Sequence, residues 1–483
     1  MSFDDIIYLF FLMFSIGFGT YYRKIENPKS RKHIGAAVGF LIVLAVSRLH
    51  SIHILITILV NGAIILYVDK RFCHLVSFFL SFVYLIFLRT TVYFGLPYSI
   101  PSHTNLIQMI LTLKLVGLAF EVNSAYTKKA QNKATPALKN EAETEIGDDY
   151  VLDFSHVFYY ALNYVGVLTG PYYNYRTFYD HLYKPFHQYD DYKTAALKKF
   201  FPLVPIYAIV YLLTDYLWPL SYTQSQDFEE RSFLYRYWYI WPTFLNFRAR
   251  IYIGLTLSEC SCIMAGLGVY PDFANSQPGN GPTTNFNKLT EICHSTTTLK
   301  STKYDYETVY NINSYGTELY PTLREGMKNW NMTVQYWLAT CIYKRFPSKK
   351  YRTFATMFVS GVWHGVYSGY YISVGMIPFG LIVEDIWAHV LLKDDFYLPK
   401  KVGYVIMLFL KMQFFSYAAL AFSLLDVGKI MHYYNLVYHW MVPFYVFMFF
   451  LGKHLLKLKK TGNKSEESIL PASTKSGDRK KQI

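Results

Sequence analysis

Residues 353–374, TFATMFVSGVWHGVYSGYYISV, form an uncharged run of bilayer length, and how this run is read decides the fold. A bilayer core takes about 20 mostly apolar residues per helix. Read as one helix, the run puts Thr356, Ser360, His364 and Ser368 at successive i, i+4 positions, on one polar stripe. Gly361, Gly365 and Gly369 lie beside them, a stripe of small residues that lets a second backbone approach closely. A histidine in such a helix faces a bundle interior or a wet cavity and is a functional candidate. The plainer alternative is a neutral imidazole bonded to a neighbouring helix.

The rest of the chain agrees with a membrane reading. Among 483 residues, only 17% are charged, 52% are apolar and 19% are aromatic. Soluble chains carry about 25% charged residues, so a disordered chain is excluded and the composition weighs against an ordinary soluble enzyme. Length alone would suggest roughly three soluble domains. The apolar residues instead come in blocks near 5–22, 34–47, 53–69, 73–97, 104–121, 155–172, 200–220, 233–270, 353–374, 375–392, 402–425 and 429–452. Alternating ten-residue strands of a barrel are absent from these blocks. The fold expected is all-α, with about eleven transmembrane helices. The blocks 34–47 and 155–172 could be re-entrant or interfacial.

The first block opens on Asp4 and Asp5, unlike a cleavable signal. Arg23, Lys24, Lys29, Arg31 and Lys32 follow it, and the segment after 452 holds nine more basic residues. The positive-inside rule places both clusters in the cytosol, so the N-terminus is expected in the lumen. Residues 1–452 then form the membrane-embedded domain, and 453–483 a basic, disordered cytosolic tail. Its end, Lys480-Lys481-Gln482-Ile483, matches a dilysine retrieval signal of the endoplasmic reticulum; the alternative is a solvated basic tail. The polar stretch 122–153 reads as a solvated, partly helical loop, and 271–303, rich in Gly, Pro, Asn and Thr, as a flexible one. The net charge of +14 suits phosphate-bearing ligands more than nucleic acid, for which no motif is present.

A second segment, 326–345, GMKNWNMTVQYWLATCIYKR, reads as an amphipathic helix with Trp330, Val334, Trp337, Leu338 and Cys341 toward its apolar side. Asn331 and Gln335 fall one turn apart on a shared face. Amides so placed orient a histidine or donate to an oxyanion; simple helix packing is the alternative. Asn331-Met332-Thr333 is also a glycosylation sequon, a weaker reading inside an apolar run. Other patterns point nowhere firm. The five cysteines show no zinc spacing and no disulfide framework, so no metal is expected. His50 and His53 lack further histidine partners, and His389 with Asp394 matches H-x4-D without a second motif. Arg89, Lys114, Asp215, Glu259 and Lys411 are charges within apolar blocks, either lining a cavity or snorkelling to an interface.

Several blocks together resemble the membrane-bound O-acyltransferase family. They are Gly170-Pro171-Tyr172-Tyr173, Glu259-Cys260-Ser261-Cys262, Tyr304-Asp305-Tyr306-Glu307-Thr308, Trp330-Asn331-Met332-Thr333-Val334-Gln335, and Trp363-His364-Gly365 with Gly369-Tyr370-Tyr371. The resemblance runs from residue 1 to about 452 and is closest to the members that acylate lysophosphatidylinositol. It implies a catalytic His364 paired with Asn331, and substrate-facing roles for Trp330, Gln335, Ser360, Trp363 and Ser368. It implies an internal substrate tunnel surrounded by the helices, acyl-CoA as co-substrate with no bound cofactor, and a lysophospholipid acceptor taken from the bilayer. That acceptor is lysophosphatidylinositol, acylated at the sn-2 hydroxyl with an arachidonoyl-type chain; another lysophospholipid is the alternative. A polytopic transporter is the more distant rival. Oligomeric state is not legible.

Overall fold

The computed structural model describes residues 3–95, 100–134, 152–393 and 397–469. Among them the regular structure is helical, apart from one antiparallel pair of two-residue strands, Tyr270–Pro271 with Tyr304–Asp305, and an isolated bridge between Gln277 and Gly281. The helices in the first half are α1 (Phe3–Tyr22), α2 (Pro28–Ser47), α3 (Ser51–Tyr67), α4 (Cys73–Thr90), α5 (Ser102–Ala134), α6 (Phe154–Leu162) and α7 (Tyr175–Tyr183). The middle holds α8 (Tyr192–Leu217), α9 (Gln226–Glu230), α10 (Phe233–Ala265), α11 (Phe286–Ile292) and α12 (Thr296–Ser301). Three short helices follow: α13 (Ser314–Leu319), α14 (Leu323–Lys328) and α15 (Met332–Leu338). The C-terminal part comprises α16 (Arg352–His364), α17 (Ser368–Leu391), α18 (Lys400–Leu424), α19 (Val427–Leu436) and α20 (Met441–Ile469).

Their boundaries follow local chemistry. Asn27 caps α2 by accepting the N–H groups of Lys29 and Ser30, with Pro28 in the first turn. Ser232 and Asp191 cap α10 and α8 in the same way. Gly266 ends α10 at φ 79°, and the Leu267 N–H closes on the Cys262 carbonyl at 2.9 Å. Eight stretches among the described residues are long and apolar enough to cross a membrane, one of which, Pro28–Tyr67, holds both α2 and α3, against the eleven crossings expected. The reasons are local. The 155–172 block gives only α6 before leaving helix, the 353–374 block is broken, and α10 carries Arg236, Arg248, Arg250 and Glu259 along its length.

Exposed apolar residues such as Ile206, Ile209 and Leu212 on α8, or Val446 and Phe450 on α20, form the face suited to lipid. Inside, α8 packs on α10, α1 on α10, α4 on α5, and α17 on α18. The 271–303 stretch is not a flexible loop. Leu289, Ile292 and Leu299 pack with Phe186, Val269, Tyr270 and Ala274 into a small core of their own. The last helix runs to Ile469, so the tail is helical well past 452. The dilysine motif and Asp394 lie outside the described residues.

The charges inside apolar blocks are mostly bonded internally. Lys411 donates to the carbonyls of Thr317 (2.8 Å), Glu318 (3.1 Å) and Tyr320 (2.7 Å), and so closes the C-terminal end of α13. Lys114 donates to the Tyr173 hydroxyl at 3.0 Å and sits over the Tyr160 ring. Arg89 donates to the Val362 carbonyl at 3.1 Å. Asp215 alone of the five is exposed. Arg23 and Arg31, counted in the basic cluster after α1, are buried. Arg23 pairs with Asp190 at 2.5 Å, and Arg31 donates to the His181 carbonyl at 2.8 Å.

Candidate active site

The 353–374 run is not one helix. It breaks at Gly365, whose extended backbone ends α16 immediately after His364, and α17 restarts at Ser368. Close packing is the reason. A Cβ on Gly369 would lie 2.1 Å from the Ala421 carbonyl oxygen, and one on Gly365 would strike the Tyr370 ring. The Gly369 N–H and the Ser368 hydroxyl both donate to the Leu425 carbonyl, at 2.8 and 3.1 Å. Ser368 is therefore an anchor at the head of α17 and does not continue the stripe of His364. Thr356, on α16, returns its hydroxyl to the Arg352 carbonyl. Ser360 stays half-buried, one turn before His364.

His364 sits at the open end of α16 in an aromatic shell. Its ring centroid is 4.9 Å from Phe422, 5.7 Å from Tyr370 and 4.8 Å from Trp363. Neither ring nitrogen has a hydrogen-bond partner among the described residues. The surrounding backbone is held on both sides. Arg89 bonds the Val362 carbonyl, and the Tyr371 hydroxyl donates to the Gly365 carbonyl at 3.0 Å. Trp363 is 5% exposed, and its indole donates to the Met109 carbonyl at 3.1 Å.

The 326–345 segment also departs from a single helix. The chain leaves α14 at Lys328, turns, and enters α15 at Met332, with a π-helical turn at Ala339–Tyr343 after it. Asn331 occupies the turn in a left-handed conformation, φ 48° and ψ 51°, which asparagine tolerates better than most residues. Its Oδ1 is buried without a hydrogen-bond partner among the described residues. Gln335 does not share its face: the amide donates back to the carbonyls of Met327 and Trp330 and ties the turn shut. The sequon reading fails here, because Thr333 is fully buried and its hydroxyl donates to Asn311 Oδ1 at 2.8 Å.

Trp330 links the two segments. Its ring stacks on Phe247 at 6.5 Å, Phe247 meets Phe422 at 5.5 Å, and Phe422 meets His364. Val334, Trp337 and Cys341 share a core with Val362, Trp363, Met109 and Tyr172. Beyond Tyr172 and Cys341 opens a cavity of about 460 Å³, whose wall carries Arg176, Lys344 and Arg345 beside Glu121. Arg345 is braced by Asn123 Oδ1 at 2.9 Å and Ser124 Oγ at 2.5 Å. Among the described residues, no group of three His, Cys, Asp or Glu side chains could hold a metal. Phe247, Phe422 and Asn311 escape a reading along the chain, since their proximity to the site exists only after folding.

This is a multi-pass, all-helical membrane protein with an unbonded histidine at a helix break, joined through the rings of Phe422, Phe247 and Trp330 to the segment whose turn Asn331 forms. The sequence model of the membrane-bound O-acyltransferase family matches residues 96–427, and the chain belongs to that family. It is 41% identical over 470 residues to a membrane-bound acylglycerophosphatidylinositol O-acyltransferase of Drosophila melanogaster, covering 95% of this chain and 94% of the relative. It is 35% identical to the Xenopus laevis protein of that description, with 94% of each chain covered. The Homo sapiens protein of that description is 34% identical, with 91% of each covered.

Proposed function

We propose that this chain is an acyl-CoA:lysophospholipid O-acyltransferase that acylates the sn-2 hydroxyl of lysophosphatidylinositol with an arachidonoyl-type chain, remodelling phosphatidylinositol. The observation that carries this reading is the placement of His364: half-buried in an aromatic shell, both nitrogens unbonded, at a break that opens the helix end. Family membership and the relatives' names support the reaction and the acceptor.

An alcohol is a weak nucleophile at neutral pH. In the proposed reaction His364 takes the hydroxyl proton as the oxygen attacks the thioester carbonyl carbon. Negative charge gathers on the carbonyl oxygen, and the Asn331 amide either stabilises it or holds the imidazole. The C–S bond then breaks, and the departing CoA sulfur receives the proton from the imidazolium. Transfer is direct, with no acyl-enzyme and no bound cofactor. The thioester would hydrolyse in open water, so the shell of Trp330, Phe247, Tyr370 and Phe422 serves to exclude it. Ser360 lies on the same side of α16 for contact with substrate. Gln335, Ser368 and Trp363 act through the backbone that they hold.

Arg176, Lys344 and Arg345 at the cavity are suited to the phosphates of CoA. In this reading an internal tunnel joins that cavity to His364. The proposed location is the endoplasmic reticulum membrane, with the N-terminus in the lumen and the C-terminus in the cytosol. Lys24, Lys29 and Lys32 after α1 and the basic tail support this orientation. The test is a panel of lysophosphatidylinositol, lysophosphatidylcholine and lysophosphatidylserine, each offered with arachidonoyl-CoA to the purified chain in nanodiscs. The reading expects phosphatidylinositol as the main product. Preference for another acceptor would move the headgroup assignment, and no ester product from any of them would refute the reaction.

A further inference from the structure

Asn331 is the cap residue at the head of α15: its carbonyl accepts the Val334 and Gln335 N–H groups, both at 3.1 Å, while its side chain caps nothing. It lies on a turn, in a left-handed conformation, and its side-chain oxygen has no hydrogen-bond partner among the described residues. The next two residues are held by Asn311, far back in the chain. The Asn311 carbonyl accepts the Met332 N–H at 2.8 Å, and its Oδ1 accepts the Thr333 N–H at 3.1 Å and the Thr333 hydroxyl. Thr333 Oγ1 in turn accepts the Tyr172 N–H at 3.1 Å. Asn311 itself lies in an irregular stretch between α12 and α13. Its N–H and that of Ile312 both donate to Glu259 Oε1, at 2.8 and 2.9 Å. Glu259 projects from α10, is 1% exposed, and pairs through its other oxygen with Lys199 of α8.

We propose that Glu259, acting through Asn311, is a positioning residue that sets Asn331 for acyl transfer; this rests on the reading of Asn331 as part of the reacting centre. The route runs from the packed pair α8 and α10, through one carboxylate oxygen holding two adjacent backbone N–H groups, to the turn. A buried ion pair is poor at adding stability, and an apolar side chain would fill the site at lower desolvation cost. What the carboxylate supplies is a fixed point for the 311–312 backbone. Reacting groups lose rate when displaced by an ångström, so such a point matters to the chemical step.

The test compares purified wild type, Asn331→Ala, Glu259→Ala, Glu259→Gln and the doubles Glu259→Ala/Asn331→Ala and Glu259→Gln/Asn331→Ala. Arachidonoyl-CoA and lysophosphatidylinositol are the substrates. Asn331→Ala and Glu259→Ala should each lower kcat about tenfold or more, with both KM values within about twofold of wild type. Glu259→Gln keeps an oxygen for the two N–H groups and should lose only about threefold. Each double should fall no further than its weaker parent, because the two residues act as a unit. Losses that multiply in the doubles, or wild-type kcat in Glu259→Ala, would overturn the proposal. Where Glu259→Ala does not fold, the glutamine cycle decides the matter alone. Wild-type kcat in Asn331→Ala would refute the site reading itself, a signature distinct from multiplying losses.

Discussion

Trp363 donates its indole N–H to the Met109 carbonyl at 3.1 Å, and Trp337 repeats the bond one turn along α5, to Leu113 at 3.0 Å. The two tryptophans pin α16 and α15 to the same helix. His364, the next residue after Trp363, packs its ring edge-on against that tryptophan and also meets Phe422 and Tyr370.

This arrangement makes Trp363→Phe informative. The smaller ring loses part of the packing together with one buried hydrogen bond, which costs about 1–3 kcal/mol. Thermal unfolding of the purified variant should report that loss. Acyl transfer should fall through kcat, with KM for both substrates unchanged. A KM effect alone would place Trp363 on the substrate.

The glycines separate tight packing from open space. Gly369→Ala sets a Cβ against the Ala421 carbonyl and the Leu425 backbone, neither of which is the end of a flexible side chain. Separating α17 from α18 should cost about 1–3 kcal/mol or more, and lower Tm and yield together. Gly375→Ala, in the same helix, meets nothing within 4 Å and should be neutral or stabilising by up to about 1 kcal/mol. Equal effects of the two would contradict the α17–α18 contact.

His187 predicts an acid limb of stability. Burial, with Arg31 and Arg23 beside it, pushes its pKa down to about 3. Arg31 donates to Nε2 at 2.5 Å, so this nitrogen accepts and the ring is neutral. A histidine depressed on folding contributes stability above its unfolded pKa, about 6.5, and loses it as pH falls below that value. His181, lowered in the same direction by burial and Arg31, adds to the slope. Tm should therefore decline as pH drops below about 6.5, and His187→Gln should flatten the decline. An unchanged slope in that variant would contradict the assignment.

The basic wall of the cavity predicts a substrate-specific defect. Arg345→Ala or Arg176→Ala should raise KM for acyl-CoA about tenfold, roughly 1.4 kcal/mol, and leave KM for the lysophospholipid unchanged. Added salt should shrink the difference. A rise in acceptor KM alone would assign the cavity to the other substrate.

Much of this architecture is legible along the chain, because lipid demands long apolar helices and these need no tertiary information to be seen. His364 and Asn331 stand out for the same reason, as polar groups in apolar runs. The break at Gly365 is not legible: Gly361, Gly365 and Gly369 read as a stripe on one helix, and only the Ala421 and Leu425 backbone shows why the helix ends. Gln335 reads as a partner of Asn331 by spacing, yet the turn at 329–331 rotates it onto the Met327 and Trp330 carbonyls. Glu259 and Lys411 are visible as costly charges, but their partners Asn311 and Thr317 lie at long range. Periodicity carries information within a helix and none between helices.

The central claim, that His364 is the base for acyl transfer to lysophosphatidylinositol, is tested by comparing wild type with His364→Ala in nanodiscs. Both would receive arachidonoyl-CoA and lysophosphatidylinositol, with CoA release and lipid product followed together. The account predicts phosphatidylinositol and equimolar CoA from wild type, and neither above background from a folded His364→Ala. Wild-type product formation by the alanine variant would contradict it.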